Sequence, residues 1–398
     1  MSLGNGRHYL AIPGPSVMPD RVLRAMHRAA PNIYEGPLVD AMPQLMDDLR
    51  QVARTRAGAA LYIANGHGAW EAAIANTLQP GDEALVLATG RFAHGWSDMA
   101  ARMGVACRVL DFGKRSPIDM GRVVEALRAD GGHRICAVLT VQTDTSTGIR
   151  NDIPALRAAL DEAGHPALLM VDCIASLGCD RFEMDAWGVD VMVSASQKGL
   201  MTPPGLGFVF FNQKADSTRD RIERVSPYWD WRPRAEPTDF YQYFCGTAPT
   251  HHLYALREAL DTIAEEGLEA VWSRHARLAR AIWAACDAWG ADGPLEINAT
   301  EPAWRSHSVT AVRIGAPAGT ELRRWVEERA GVTLGIGLGM AERGDPAFHG
   351  FFRIGHMGHV NAHMVLGVLW VIEAGMRALG VPYGKGALEA AAEVCAGA

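Results

Sequence analysis

The chain has 398 residues, 48% of them apolar and 21% charged, which is enough for a large domain and a smaller one, each with its own core. A net charge of −7, with no basic run, gives no general attraction for phosphate backbones, so no nucleic-acid partner is expected. The opening Met1-Ser-Leu-Gly-Asn-Gly-Arg has no apolar signal core and no uncharged apolar stretch reaches about 18 residues, so a cytoplasmic chain without a membrane span is expected.

From about residue 60 to 270, short apolar runs alternate with amphipathic stretches. "AALYIAN", "EALVLAT", "ACRVLDF", "ICAVLTVQ", "ALLMVD", "DVMVSAS" and "LGFVFFN" read as strands. "AWEAAIANTL", "GWSDMAARMG", "MGRVVEALRAD" and "IPALRAALDEAG" read as the helices between them. Strands alternating with helices predict an α/β fold with a mainly parallel sheet, covered on both faces. One long helix is expected from Tyr254 to about Gly290. Beyond Gly293-Pro294, "SVTAVRI", "GTELRRWVEERAG", "GFFRIG" and a last helix from about Asn361 predict a smaller α+β unit. The expected organisation is an N-terminal segment 1–20 that reaches the active site, a large domain 21–285 and a C-terminal domain 286–398.

The seven cysteines (107, 136, 173, 179, 245, 286 and 395) never form C-x-x-C. They suit free thiols in a reducing compartment rather than a disulfide frame or a zinc site. His356, His359 and His363 have no convergent carboxylate or cysteine, so no metal is expected; His356 is placed at a substrate entrance instead. His251-His252 is expected at a subunit interface, "YWDWRPR" (228–234) in the core or at a dimer contact, and Trp70, Trp187 and Trp272 in the core.

The chemistry gathers at strand ends. "LLMVDCIASLG" puts Asp172 at the end of a buried strand, and Lys198 of "VSASQKG" follows 26 residues later at the end of the next. In a parallel sheet both ends face the edge where ligands collect. "IANGHGAWEAA" ends a strand at Ala64 and opens a helix through Asn65, Gly66 and His67, where free N–H groups favour an anion. It is neither G-x-G-x-x-G nor a P-loop. "TVQTDTSTGI" (140–149) offers hydroxyls at a fourth strand end. One cofactor uses all four pieces: pyridoxal 5′-phosphate needs a lysine for a Schiff base, a carboxylate at its ring nitrogen and a cradle for its phosphate. Lys198 is set apart from other charges so that it can lose its proton.

At these residues the sequence resembles the class V aminotransferases of fold type I, nearest the serine–glyoxylate, alanine–glyoxylate and pyridoxamine–pyruvate enzymes. The likeness runs through "IPGPSVMP", "NGHGAWEAA", "DTSTG", "VDCIASLG", "SASQKG", "PPGLGF", "LYALREAL" and "FRIGHMG", in order. The resemblance implies that Lys198 bonds the cofactor and moves the proton, and that Asp172 pairs with the ring nitrogen. It further implies that Asn65, Gly66, His67 and Gln197 hold the phosphate, that Thr145 bonds the phenolic oxygen and that Phe92 stacks on the ring. Arg353 would hold the substrate carboxylate, and Gly14 would keep the substrate end open. Thr247 would reach the cofactor of a neighbouring subunit, which implies a homodimer with shared sites, or a tetramer built from such dimers. A tyrosine of one branch is Phe244 here, so its phosphate contact is lost or passes to Tyr241 or Tyr243.

The implied activity is transfer of an amino group from a small amino acid, serine or alanine, to a 2-oxo acid, glyoxylate or pyruvate. Pyridoxamine–pyruvate transamination is the alternative, because "NIYEGPLVD" (32–40) departs from the serine–glyoxylate pattern. A cysteine desulfurase-like lyase would need a mobile cysteine in a loop of the C-terminal third, which the sequence does not offer. A non-catalytic scaffold should have lost Lys198 or Asp172.

Overall fold

The computed structural model describes residues 2–397. The strands in chain order are β1 (Tyr9–Ala11), β2 (Gly58–Ala64), β3 (Glu83–Ala88), β4 (Ala106–Asp111), β5 (Ile135–Val141), β6 (Leu168–Asp172), β7 (Val191–Ala195), β8 (Gly205–Phe211), β9 (Glu296–Ile297), β10 (Val309–Arg313), β11 (Val332–Ile336) and β12 (Phe351–Gly355). Seven form one sheet in the order β2-β8-β7-β6-β5-β3-β4. From β4 to β7 every pairing is parallel, as the alternating pattern predicts. β8 runs antiparallel to both β7 and β2. Its reversal follows from chain length: residues 196–204 hold no crossover helix, and a parallel return would need a dozen or more residues.

Side-chain alternation sorts this sheet into two cores. Leu61, Leu85, Leu87, Leu169 and Val171 face the helices Pro37–Ala53, Met120–Arg128, Ile153–Ala163 and Thr250–Glu266. Tyr62, Val86, Leu139, Met170 and Val193 face the helices Gly66–Thr77 and Arg91–Arg102. Every residue of β6 and β7 is buried, and apart from Asp172 and Ser194 near their C-terminal ends both runs are apolar rather than alternating.

The second sheet has the order β1-β11-β12-β10-β9. β1 brings the N-terminal segment into this otherwise C-terminal unit by pairing Tyr9 with Val332. The expected single helix 254–290 is two helices, Thr250–Glu266 and Leu268–Gly290. They break at Gly267, whose φ of +86° is a conformation that side chains disfavour. The second of the pair joins the two units: Val271 packs in the first core of the large sheet, while Ile282, Cys286 and Trp289 pack in the separate core of the C-terminal unit. β1, β11 and the helix Ala387–Ala396 escaped the sequence pattern, as did the helices Asp20–Met26 and Pro37–Ala53.

One helix, which carries Glu373 and Arg377, still has the length and hydropathy of a membrane span. Ala362–Leu379 is long and apolar enough to cross a bilayer, with a mean hydropathy of 1.4. Here Val365, Val368, Leu369, Ile372 and Met376 pack in the core of the C-terminal unit, and the Trp289 indole N–H donates to Glu373 of the helix.

Candidate active site

β2, β3, β5, β6 and β7 share a direction, so their C-terminal ends meet at one edge of the sheet. There they surround a cavity of about 250 Å³. Among the sequence-predicted residues, Gly14, Asn65, Gly66, His67, Phe92, Thr145, Asp172, Gln197 and Lys198 all line it. Arg353 and Thr247 do not.

Lys198 lies three residues beyond β7, and only 9% of it is exposed. Its Nζ donates to the Pro13 carbonyl. The N-terminal segment grips the same loop, since Ser16 bonds the Gln197 carbonyl through its N–H and the Lys198 carbonyl through its hydroxyl. Gly14 is required on two counts. Its φ is +98°, and a Cβ would come within 2.5 Å of Lys198 Nζ. Burial, helped by the nearby Arg353 cation, lowers the amine's pKa to about 8, against the opposing pull of Asp172. A minor but usable fraction of this amine is therefore unprotonated near neutral pH.

Asp172 ends β6 opposite Val193 of β7 and is 2% exposed. Burial pushes its pKa up to about 7, while two donors oppose the rise. Ile174 N–H donates to Oδ1 at 2.6 Å and the indole Nε1 of Trp70 donates to Oδ2 at 2.8 Å. Trp70 is buried, as expected, but its polar edge faces the cavity, which apolar periodicity cannot reveal.

Asn65 caps the helix Gly66–Thr77, its Oδ1 accepting from the N–H groups of His67 and Gly68. The expectation that the His67 backbone is a free donor is corrected accordingly. Among the described residues, Gly66 N–H and the Asn65 amide nitrogen remain without an acceptor. A Cβ at Gly66 would lie 2.3 Å from Ile174 Cδ1, so the close approach requires glycine. Across the cavity, Gln197 Oε1 is buried with no partner. The free Gly66 N–H and Asn65 amide donors at a helix N-terminus, beside an isolated amine, fit an anionic cofactor such as pyridoxal phosphate, and turning the Gln197 amide would offer its NH2 in place of the unpartnered oxygen.

Phe92 presents its ring edgewise to Trp70, with centroids 6.4 Å apart. Its N–H donates to Asp144 Oδ2 at 2.9 Å, while Asp144 Oδ1 accepts from Ser146 N–H. Asp144 is fully buried and was missed although it lies inside "TVQTDTSTGI"; its work is to hold the Phe92 loop against β5. Arg353 on β12 sits behind Thr145. Its Nε donates to Ile336 O at 2.7 Å and its Nη1 to Thr145 O at 2.8 Å, leaving Nη2 without a partner among the described residues.

Other expectations change. Phe244 is fully buried in the first core, packed edgewise on Phe240, in keeping with the expected loss of the tyrosine's phosphate contact at this position. His356 is buried between Thr310 Oγ1 and the His307 carbonyl, not at an entrance. Trp187, on a turn, is only partly buried at the margin of the first core. "YWDWRPR" belongs to the core, where Trp231 stacks on Phe211 at 4.1 Å and Arg234 donates to the carbonyls of Leu61, Tyr228 and Tyr243. Thr247 is exposed, outside the cavity.

Known proteins show the same architecture. Residues 8–357 match the family Aminotransferase class-V. The chain is 38% identical to the serine–glyoxylate aminotransferase of Methylorubrum extorquens over 396 residues, covering 97% of this chain and 95% of that one. It is also 38% identical to the L-aspartate–glyoxylate aminotransferase of Paracoccus denitrificans, covering 96% and 94%. The crystal structure of pyridoxamine–pyruvate aminotransferase from Mesorhizobium loti superposes with a TM-score of 0.88 at 26% identity over 100% of both chains. Ureidoglycine–glyoxylate aminotransferase from Bacillus subtilis gives 0.85 at 25% identity, covering 99% of each. The chain belongs to the class V aminotransferase family, whose cofactor is pyridoxal 5′-phosphate.

Proposed function

We propose that this aminotransferase moves the amino group of a small amino acid, serine or alanine, to glyoxylate or pyruvate by ping-pong transfer. The observation that carries the reading is one small cavity walled by a depressed-pKa lysine and a buried aspartate, with one arginine behind it that has no carboxylate partner. When bound, pyridoxal phosphate supplies a protonated ring that takes up the electron pair left as the donor's Cα–H bond breaks. The Gly66 N–H, the Asn65 amide and the Gln197 side chain would hold its phosphate, Asp172 its ring nitrogen, Thr145 its phenolic oxygen and Phe92 its ring face.

The chain's own residues do the rest. Lys198 Nζ takes the Cα proton as general base; with a pKa of about 8, roughly a tenth of the amine is free at pH 7. Arg353 Nη2 holds the substrate carboxylate, and the bond from Nη1 to Thr145 O fixes the guanidinium for that task. A single unpaired guanidinium matches a monocarboxylate. Pro15, Pro204 and Phe92 close apolar surface around the amine and limit the entry of water.

We read the working form as a homodimer, or a tetramer of such dimers, supported by the exposure of Thr247 and of Tyr34, 87% of which is open to solvent. A cytoplasmic location is supported by seven free, unpaired cysteines.

Mixing the yellow enzyme with L-serine or L-alanine should bleach its visible absorbance, and glyoxylate should restore it. No spectral change with either donor rejects this substrate class. A second reading, with free pyridoxamine as substrate and pyruvate as acceptor, is favoured by one observation: Asn65 already occupies the His67 and Gly68 N–H groups. Cofactor that stays phosphorylated and bound through purification rejects it.

A further inference from the structure

We propose that Trp70 is a positioning residue for this reaction: its indole N–H holds the Asp172 carboxylate ionised and correctly turned toward the cofactor ring. The inference rests on the reading of Asp172 as the partner of the ring nitrogen. Its first support is a count of donors. Asp172 is buried, yet its hydrogen-bond partners among the described residues are Ile174 N–H on one oxygen and Trp70 Nε1 on the other. Among the described residues no cation lies within ion-pair distance of it; the more distant Lys198 amine favours its charge, and the buried Asp144 carboxylate opposes it. A carboxylate in such surroundings is kept charged first by its hydrogen bonds, with the Lys198 amine a smaller aid. The backbone donor follows from the fold, whereas the indole donor is a choice of side chain.

The second support is that the indole cannot turn away. Its ring stacks on Trp96, with centroids 6.0 Å apart and planes 13° from parallel, and His67 lies 4.5 Å away by ring centroid. Held in this way, the N–H keeps one direction, and the carboxylate keeps one rotamer. Trp70 also lies on the helix Gly66–Thr77, whose N-terminus faces the anion end of the cavity. One rigid helix therefore sets both ends of the cofactor, so that an error in either would tilt the ring.

A double-mutant cycle on the holoenzyme tests the assignment. Trp70→Phe keeps an aromatic ring and removes the donor; Trp70→His keeps a donor and serves if the phenylalanine variant does not fold. A hydrogen bond to a charged group is worth roughly a ten- to hundred-fold change. Trp70→Phe should therefore weaken rebinding of pyridoxal phosphate to the stripped protein by about that factor. It should also displace the pH titration of the bound cofactor's visible band and lower kcat while changing the KM for the amino donor less than about threefold. Trp70→His should recover part of each loss. In an Asp172→Asn background the same replacement should change cofactor affinity less than about threefold, because the indole acts only through the acid. An equal loss in both backgrounds, or a Trp70→Phe enzyme with the wild-type titration and affinity, overturns the proposal. An Asp172→Asn enzyme that binds the cofactor as tightly as the wild type overturns the parent reading of Asp172, and this one with it.

Discussion

Replacing Lys198 by methionine should make the cofactor-free protein more stable while abolishing its activity. Burial and Arg353 lower the amine's pKa from its ordinary 10.5 to about 8. The unfolded chain therefore holds a proton that the folded chain releases between those two pH values. Stability consequently rises with pH across that window, and the penalty of the buried charge is complete below pH 8. A shift of this size corresponds to roughly 3 kcal/mol, since each pH unit is worth about 1.4 kcal/mol. Loss of the hydrogen bond to the Pro13 carbonyl gives back about 1 kcal/mol, leaving a net gain of roughly 2 kcal/mol for a methionine of similar bulk. Guanidinium unfolding of both stripped proteins at pH 7 and at pH 10.5 measures it. The variant should unfold at higher denaturant at pH 7, and its advantage should shrink by pH 10.5. A variant no more stable at pH 7, or a difference that ignores pH, refutes the view that Lys198 sits there at the expense of stability.

Other outcomes follow from the same geometry. Arg353→Ala should raise the KM for the amino donor roughly ten- to hundred-fold through loss of a charge-assisted contact, with cofactor absorbance retained; an unchanged KM removes Arg353 from the substrate site. Gly14→Ala puts a Cβ against Lys198 Nζ at a φ of +98° and should cut kcat/KM by at least about a hundred-fold without unfolding the protein; near-wild-type kinetics would show that the segment yields. Stripped Asp172→Asn protein should be more stable than wild type above pH 7 and equal to it near pH 4, because burial raises the acid's pKa to about 7 and the unfolded acid ionises first; the sign of the difference in a denaturation series decides it. Stability should also fall as pH drops below 6.5. His275 and His356 are held neutral by burial, with pKa values of about 4 and about 3, so the unfolded chain gains protons first. His356→Gln should flatten that fall in a melting series from pH 7 to pH 4.

The order of strands and the identity of most site residues were legible in the sequence because both are local properties. An apolar run ends, small polar residues follow, and in a parallel sheet that junction must lie at the ligand edge. Lys198, Asp172 and the Asn65-Gly66-His67 turn are each marked in this way. What the sequence could not decide depends on contacts between distant segments. Trp70 lies 102 residues from Asp172, and only the placement of its helix across the sheet turns the indole edge to the acid. Phe244 and His356 have polar or glycine neighbours in sequence, yet packing buries both. Gly267 lies inside an unbroken apolar periodicity, and its positive φ appears only where two helices must pack on different cores. Periodicity records which face of an element is apolar; which residue meets which across that face is set when the sheet order and the interhelical contacts form together.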